Sequence, residues 1–252
     1  LKRVVIGGSA VPANMIKRFQ SKGVEVRQAW GMTETCPLGL SAALKPHQLA
    51  LPEADRLALQ CKQGRPQFGM EFRVADKDGH EVTHDGKSIG SLLVRGPWVA
   101  AQYFNAEDAD THEQHPGWFD TGDVVTIDKD SFIQIVDRNK DLIKSGGEWI
   151  SSIELENIAQ DHPAIKEAAI VAVPDSRWDE RPALVVVLKP GATFSYDDMR
   201  AQYEGKTSKW HVPDHLVVVD KLPHTATGKI SKKDIRHTLI TSLGKVKNDV
   251  GS

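Results

Sequence analysis

Four loop segments carry residue types that could bind a phosphorylated ligand. They are GGSA (residues 7–10), QAWGMTET (28–35), GWFDTGD (117–123) and DRNKDLIKSGGEWISSIELE (137–156). The first leaves backbone open to a flat ring, and the second offers an indole, a hydroxyl and a carboxylate for a base, a phosphate and a hard cation. The third has aspartates that could accept hydrogen bonds from ribose hydroxyls, and the fourth sets cations around a glycine turn. An ordinary turn or a solvated loop explains the first, third and fourth segments alone about as well, whereas a surface loop would rarely need all three groups of the second. The prediction of a nucleotide site therefore depends on the joint occurrence of the four segments.

A further candidate is Lys229, which lies in PHTATGKISKKDIR (residues 223–236). Because the chain has 32 lysines and arginines, a solvated loop lysine is the ordinary interpretation. The Thr-Gly step before Lys229 predicts a bend, and Ser231 with Asp234 predicts a capped helix just after it. These two features would hold the lysine at a defined position.

The elements that must position these loops begin with a βαβ unit. A short apolar strand at residues 2–6, a glycine turn and a helix that begins near Pro12 precede a second strand at residues 24–29. In a parallel sheet, ligands bind beyond the carboxyl ends of the strands, where the loop at residues 30–37 would lie.

From Gly64 the pattern changes to β-hairpins and then to a mixed order. FGMEFRVAD and HEVTH flank a turn signal at residues 76–79, and VVTID pairs with FIQIVD. After Arg138 we expect a helix capped by Ser151 and Glu154, with strands at residues 168–173 and 183–188. The predicted fold is therefore α/β plus α+β, with residues 1–138 in one domain and 139–252 in a small second domain.

Composition narrows the class of protein. The 34 acidic and 32 basic residues nearly cancel, so no global field favours nucleic acid or an anionic membrane. The chain has two cysteines, Cys36 and Cys61, without metal-ligand spacing, which favours a reducing cytoplasmic location. No apolar run approaches the ~20 residues that span a bilayer. A P-loop ATPase is unsupported, because its G-x-x-x-x-G-K-[ST] pattern is missing from the printed sequence.

In their order along the chain, QAWGMTET, GWFDTGD, DRNKDLIKSGGEW and PHTATGKI resemble successive motifs of the adenylate-forming acyl-CoA synthetase superfamily. SGGEWISS (residues 145–152) and ERP (180–182) are similar to the medium- and long-chain fatty acyl-CoA ligase group, and HTATGKI is equally similar to methylmercaptopropionate-CoA ligases. The resemblance implies a ligase that uses ATP, Mg²⁺ and coenzyme A and forms an acyl-adenylate with release of pyrophosphate, then AMP. The chain opens inside a predicted strand and lacks the family's upstream phosphate loop, so we expect a carboxyl-terminal half that is inactive alone.

The resemblance also implies a role for individual residues. Nucleotide contacts are expected from residues in all four loops: Gly8, Ser9, Ala10, Gln28, Trp30, Gly31, Thr33, Asp123, Arg138, Lys140, Lys144 and Trp149. Thr33 would bind phosphate, Glu34 would ligate Mg²⁺, and Asp123 with Arg138 would hold the ribose. Lys140 would be the hinge of a mobile second domain, and Gly146 would border the path of coenzyme A. Many family members have an arginine where this chain has Glu148, so no phosphate contact is assigned there.

These roles give a chemical reason for a lysine at position 229. Acyl adenylation brings a carboxylate to the α-phosphate of ATP, and the transition state adds charge on the phosphoryl oxygens. A lysine that reaches both anions lowers this barrier by ~3 kcal/mol, the scale of one oxyanion-stabilising group. On a mobile domain, it can be withdrawn when coenzyme A must enter. We therefore predict Lys229, Thr33 and Glu34 as the catalytic residues.

Two other functions remain open from the sequence. One is a non-catalytic module that keeps the nucleotide-binding loops for interaction, and the other is an adenylation domain that loads a carrier protein. SGGEWISS disfavours the second. A small carboxylic acid is the expected partner, with no nucleic acid, and the sequence leaves open a peripheral membrane contact and a homodimer of the full-length enzyme.

Overall fold

The computed structural model describes residues 1–9, 11–104, 115–226 and 228–239. Ala10, which was predicted to line the adenine site, lies outside the described residues. The contacts divide the chain into two compact units, Leu1–Asn139 and Lys140–Ser252.

The first sheet of unit 1 contains the βαβ motif. Its elements are β1 (Arg3–Gly7), α1 (Ala13–Gln20), β2 (Glu25–Trp30), β3 (Leu40–Ser41), α2 (Pro46–Leu49), α3 (Glu53–Gln60) and β4 (Arg65–Pro66). Strands β1 and β2 are parallel with Gly7 opposite Ala29, so their carboxyl ends lie at one edge of the sheet. Helix α1 crosses between them because Ile16 buries its side chain against Val11 and Val26. The predicted βαβ unit is confirmed.

The second sheet of unit 1 is an antiparallel meander. Its strands, in spatial order, are β5 (Glu71–Ala75), β6 (Ile89–Arg95), β7 (Phe119–Ile127) and β8 (Ile133–Arg138). The predicted pairing of VVTID with FIQIVD is confirmed, with Ile127 opposite Ile133.

The predicted hairpin of FGMEFRVAD with HEVTH forms as a short antiparallel pairing, in which the Asp76 amide donates to the His80 carbonyl at 2.8 Å and the Val82 amide donates to the Val74 carbonyl at 3.0 Å. Strand β5 also pairs along its length with β6. Strand β6 supplies Leu92 and Val94, which are fully buried, whereas HEVTH offers Val82 alone to the same core. Burial of apolar surface therefore makes the pairing of β5 with β6 the longer of the two.

Unit 2 is an α+β fold, as predicted. Its elements are β9 (Ile143–Ser145), β10 (Glu148–Ile150), α4 (Ser152–Gln160), β11 (Ile165–Asp175), β12 (Asp179–Leu188), α5 (Tyr196–Tyr203) and β13 (His215–Val218), followed by a last helix described over residues 232–239. The hydroxyl of Ser151 accepts a hydrogen bond from the Glu154 amide at 3.1 Å, which confirms the predicted cap of α4.

The long antiparallel hairpin of β11 and β12 is buried on both faces. One face packs on residues of α4 and α5, among them Leu155 and Met199, and the other packs on Ile235 and Leu239 of the last helix. This arrangement explains why both strands read as unbroken apolar runs. No helix among the described residues has the length and apolar character needed to cross a bilayer.

Candidate nucleotide site

The carboxyl ends of β1 and β2 supply the first predicted loops of the site. Gly8 and Ser9 follow β1 and are exposed, and Gly8 has a φ of 89°, which favours glycine. Gly31 follows β2, and a Cβ atom there would lie 1.5 Å from the carbonyl oxygen of Pro37. Because the obstacle is backbone, only glycine fits at position 31.

Three predicted residues meet directly in unit 1. The indole N–H of Trp30 donates to Oδ2 of Asp123 at 2.8 Å, and Nε of Arg138 lies 2.7 Å from Oδ1 of the same carboxylate. The Asp123 side chain is only 2% exposed, whereas that of Arg138 is 42% exposed. The buried carboxylate therefore anchors a guanidinium that reaches towards solvent, at the point where β7 and β8 pair.

The Trp30 ring itself belongs to the core. It packs edge-on against Phe72, with ring centroids 6.2 Å apart, and the residue is 7% exposed. The sequence suggested that this indole could stack on a base, but its described contacts are with the protein. Its role towards the nucleotide stays a prediction.

A short 3-10 turn, Thr33–Thr35, presents the predicted phosphate and metal ligands. The buried hydroxyl of Thr35 fixes this turn, because it accepts from the Met32 amide at 2.9 Å and donates to the Pro37 carbonyl at 2.9 Å. Thr33 is exposed at the start of the turn, and Glu34 follows it.

The Glu34 carboxylate has a partner that sequence reasoning missed. The hydroxyl of Tyr103 donates to Oε1 of Glu34 at 2.7 Å. This hydrogen bond, together with burial and the negative charge of Glu34, raises the pKa of Tyr103 to about 12. A separation of 69 positions left no local pattern by which the pair could be predicted.

The side chains around Glu34 fit Mg²⁺ rather than a metal that is coordinated entirely by protein ligands. Among the described residues there is no group of three or more His, Cys, Asp or Glu side chains that could hold a metal. Mg²⁺ commonly binds one or two carboxylates together with substrate phosphates and water. One carboxylate beside an exposed threonine hydroxyl matches that pattern.

Gln28 is placed differently from the loops around it. The residue is 1% exposed, its amide nitrogen donates to the Gln60 carbonyl at 3.1 Å, and its amide oxygen accepts from Gln63 at 3.3 Å. Its carboxamide is thus engaged at both ends, and its assignment to the adenine amine remains a prediction.

In unit 2, the hairpin of β9 and β10 carries the predicted glycine loop. Lys144 and Trp149 are opposite each other, and the ammonium lies 5.0 Å from the centre of the indole ring, in cation–π range. Between them Gly146 has a φ of 60°, and a Cβ atom there would approach the Trp210 ring to 2.9 Å. The loop therefore needs glycine at this position both for backbone conformation and for space.

Lys229 lies in a closed loop of unit 2. A bridge between His224 and Ile230 closes the loop, the Thr225 amide donates to the Lys229 carbonyl at 2.7 Å, and the Lys229 amide donates to the Thr225 hydroxyl at 3.2 Å. The Lys229 side chain is exposed. The backbone of this lysine is thus fixed while its ammonium is free to reach a ligand.

Lys140 is the first residue of unit 2 and is exposed. Its carbonyl accepts from Arg236 at 3.3 Å, and the same guanidinium nitrogen lies 3.1 Å from the carboxylate of Asp141. These contacts connect the start of unit 2 to its last helix.

Two family models match the chain. The AMP-binding enzyme model matches residues 1–104, and the model of the AMP-binding enzyme C-terminal domain matches residues 154–229. Together they cover most of the chain and fall on its two units. The chain belongs to the AMP-binding, adenylate-forming enzymes.

Relatives with assigned names are acyl-CoA ligases. The chain is 48% identical to 3-methylmercaptopropionyl-CoA ligase of Ruegeria lacuscaerulensis, over 94% of this chain and 44% of that protein. It is 45% identical to medium-chain-fatty-acid–CoA ligase of Ectopseudomonas oleovorans, with 94% and 43% covered, and 42% identical to long-chain-fatty-acid–CoA ligase of Thermus thermophilus, with 94% and 44% covered. The chain thus spans less than half the length of these curated relatives.

The fold is also similar to solved structures. o-Succinylbenzoate CoA synthetase from Bacillus subtilis, in complex with its acyl-adenylate intermediate, has a TM-score of 0.82 at 30% identity, with 94% of this chain and 46% of that chain covered. The same enzyme in complex with ATP and magnesium ion has a TM-score of 0.80 at 29% identity, with 93% and 46% covered. The family models show the family membership, and the solved structures show the mixed α/β architecture.

Proposed function

We propose that this chain is the carboxyl-terminal part of an ATP-dependent, AMP-forming ligase that joins a carboxylic acid to coenzyme A. The observation that carries the proposal is the contact of Trp30 and Arg138 with the buried carboxylate of Asp123, because it unites residues from three separate predicted motifs. Independent surface loops would have no reason to converge on one carboxylate.

In the first half-reaction, the acid's carboxylate attacks the α-phosphate of ATP, which gives acyl-adenylate and pyrophosphate. The Thr33 hydroxyl donates to a phosphate oxygen, and Arg138 with Asp123 orients the ribose by hydrogen bonds to its hydroxyls. Glu34 would hold Mg²⁺, which when bound neutralises phosphate charge. Lys229 places its ammonium between the two reacting anions, where it stabilises the charge that develops.

In the second half-reaction, the thiol of coenzyme A attacks the acyl carbonyl and AMP leaves. This step needs an open path for the pantetheine chain, and we assign that path to the Gly146 loop, in which a Cβ atom at the adjacent Gly147 would meet nothing within 4 Å. Lys140 is proposed as the hinge that exchanges the Lys229 loop for the Gly146 loop. The boundary between large and small domains is proposed near residues 138–139.

The substrate is proposed to be a medium- or long-chain fatty acid or a similar carboxylic acid, because relatives at 42–48% identity are named as CoA ligases of such acids. We also propose a cytoplasmic location, which the free thiols of Cys36 and Cys61 support.

The test is to incubate the longer enzyme that carries this chain with ATP, Mg²⁺ and coenzyme A and a panel of straight-chain and thioether acids. Release of AMP and pyrophosphate with formation of acyl-CoA supports the proposal. Nucleotide binding without acid-dependent pyrophosphate release would indicate a non-catalytic module. An acyl-adenylate that discharges to a carrier protein but not to coenzyme A would indicate a carrier-loading domain.

A further inference from the structure

We infer that His224 and Glu167 form a positioning pair that sets the orientation of the Lys229 loop. The inference deepens the proposed function, because it concerns how the proposed catalytic lysine is held. His224 is at the base of this loop, where it forms the closing bridge with Ile230, the residue after Lys229.

Both ring nitrogens of His224 face acceptors. Nδ1 lies 2.9 Å from the carbonyl oxygen of Leu222, and Nε2 lies 3.3 Å from Oε2 of Glu167. A carbonyl can only accept, so Nδ1 carries the proton in this geometry. The ring is therefore held between a backbone carbonyl on one side and the Glu167 carboxylate on the other.

Glu167 needs this partner. Its Oε2 atom is buried and has no hydrogen-bond partner, since the Nε2 contact is in ion-pair range but is not aligned as a hydrogen bond. Its other oxygen, Oε1, lies 3.6 Å from the ammonium of Lys166, whose side chain is 60% exposed. Among the described contacts the His224 ring is the nearest basic group to Oε2, and leaving that buried oxygen without a partner is costly, so the pair resists separation.

The pair ties the loop to a rigid support. Glu167 lies near the start of β11, which packs in the core of unit 2 on both faces. His224 is five positions before Lys229 in sequence but only one step from it across the bridge to Ile230. A shift at His224 would therefore move the backbone that carries Lys229, and a displacement of ~1 Å at a catalytic group can cost up to 100-fold in rate.

The first test uses single-turnover kinetics of the longer enzyme, with acyl-adenylate formation and its discharge to coenzyme A measured separately. For His224→Gln and for Glu167→Gln, we expect adenylate formation to fall roughly 10-fold with discharge unchanged. His224→Arg places a guanidinium with several N–H donors beside the same two acceptors and should stay within about 3-fold of the parent enzyme. Lys166→Gln is the matched control, since it removes only the exposed partner of Glu167.

The second test does not depend on activity. Hydrogen exchange followed by mass spectrometry should show faster exchange of the amides of residues 225 and 228–230 in His224→Gln, and parent-like exchange in His224→Arg. The inference is overturned if His224→Gln leaves this exchange unchanged, or if His224→Arg is as impaired as His224→Gln in either test. If Lys229→Ala leaves adenylation intact, the proposed role of Lys229 fails, and the exchange result still decides whether the pair positions the loop.

Discussion

The indole N–H of Trp30 donates to the carboxylate of Asp123 across 93 positions of sequence, at 2.8 Å and out of contact with solvent. This hydrogen bond joins the end of β2 in one sheet to β7 in the other. It places Arg138 as well, because the opposite oxygen of Asp123 holds that guanidinium. The nucleotide-binding role that we propose for unit 1 depends on this junction.

Trp30→Phe should destabilise the chain by about 1–3 kcal/mol, since it removes a hydrogen bond to a buried charged group while keeping an aromatic ring. Chemical denaturation followed by circular dichroism measures the loss. Trp98→Phe is the matched control, because Trp98 packs against the same core, whereas the indole that donates to Asp123 is that of Trp30. Equal destabilisation by both substitutions would show that ring size, and not the hydrogen bond, matters.

Glu34→Gln in the longer enzyme should raise the Mg²⁺ concentration needed for adenylation at least ~10-fold, because the substitution removes the carboxylate that would ligate the metal. The unfolding temperature should change little, because the turn is partly exposed and a glutamine oxygen can still accept the hydrogen bond from Tyr103. Initial rates across a Mg²⁺ titration give the result. Glu71→Gln, a substitution on β5, should leave the titration unchanged. Parent-like activity of Glu34→Gln at low Mg²⁺ would remove Glu34 from the metal site.

Tyr103 should titrate at an unusually high pH. Because its pKa is raised to about 12 from 10.0, the folded state holds the phenolic proton more tightly than the unfolded state. The stability due to the Glu34 contact is therefore fully present below pH 10 and is lost as pH rises towards about 12. Tyrosinate absorbance between these limits should appear earlier in Glu34→Gln than in the parent, and Tyr103→Phe identifies the signal. Identical titrations would contradict the contact.

Local patterns predicted most of the fold. The glycine turn and Pro12 indicated the βαβ unit, the cap at Ser151 indicated α4, and the two apolar runs indicated β11 and β12. The turn signal at Asp76–Gly79 indicated the short pairing of HEVTH with β5, whereas the longer pairing of β5 with β6 depends on the buried area that β6 offers.

The site was predicted as a set of loops but not as a set of contacts. Trp30 with Asp123, Tyr103 with Glu34, and His224 with Glu167 are each separated by more than 50 positions. Hydrogen bonds of this kind have no periodicity in sequence, since only the folded backbone brings the partners together. The resemblance to the acyl-CoA synthetase superfamily indicated the candidate residues, and the structure shows which residues they contact.

Lys140→Pro should separate the two half-reactions if Lys140 is the hinge. Proline fixes φ near −65°, so it should hold the second domain in one orientation, leaving adenylation largely intact and slowing thioester formation. Lys140→Ala controls for the loss of charge. Single-turnover assays of the longer enzyme compare them, and if proline and alanine behave alike, Lys140 is a surface charge or a nucleotide contact instead.

Single-turnover adenylation by Lys229→Ala in the longer enzyme tests the proposed catalytic role of Lys229. We expect acyl-adenylate formation to fall ~100-fold or more, while supplied acyl-adenylate is converted to acyl-CoA at the parent rate, because the ammonium acts only on the first transition state. Lys233→Ala, which removes a nearby exposed lysine, should leave both steps unchanged. Equal losses in both half-reactions, or an unchanged rate of acyl-adenylate formation, would contradict this role of Lys229.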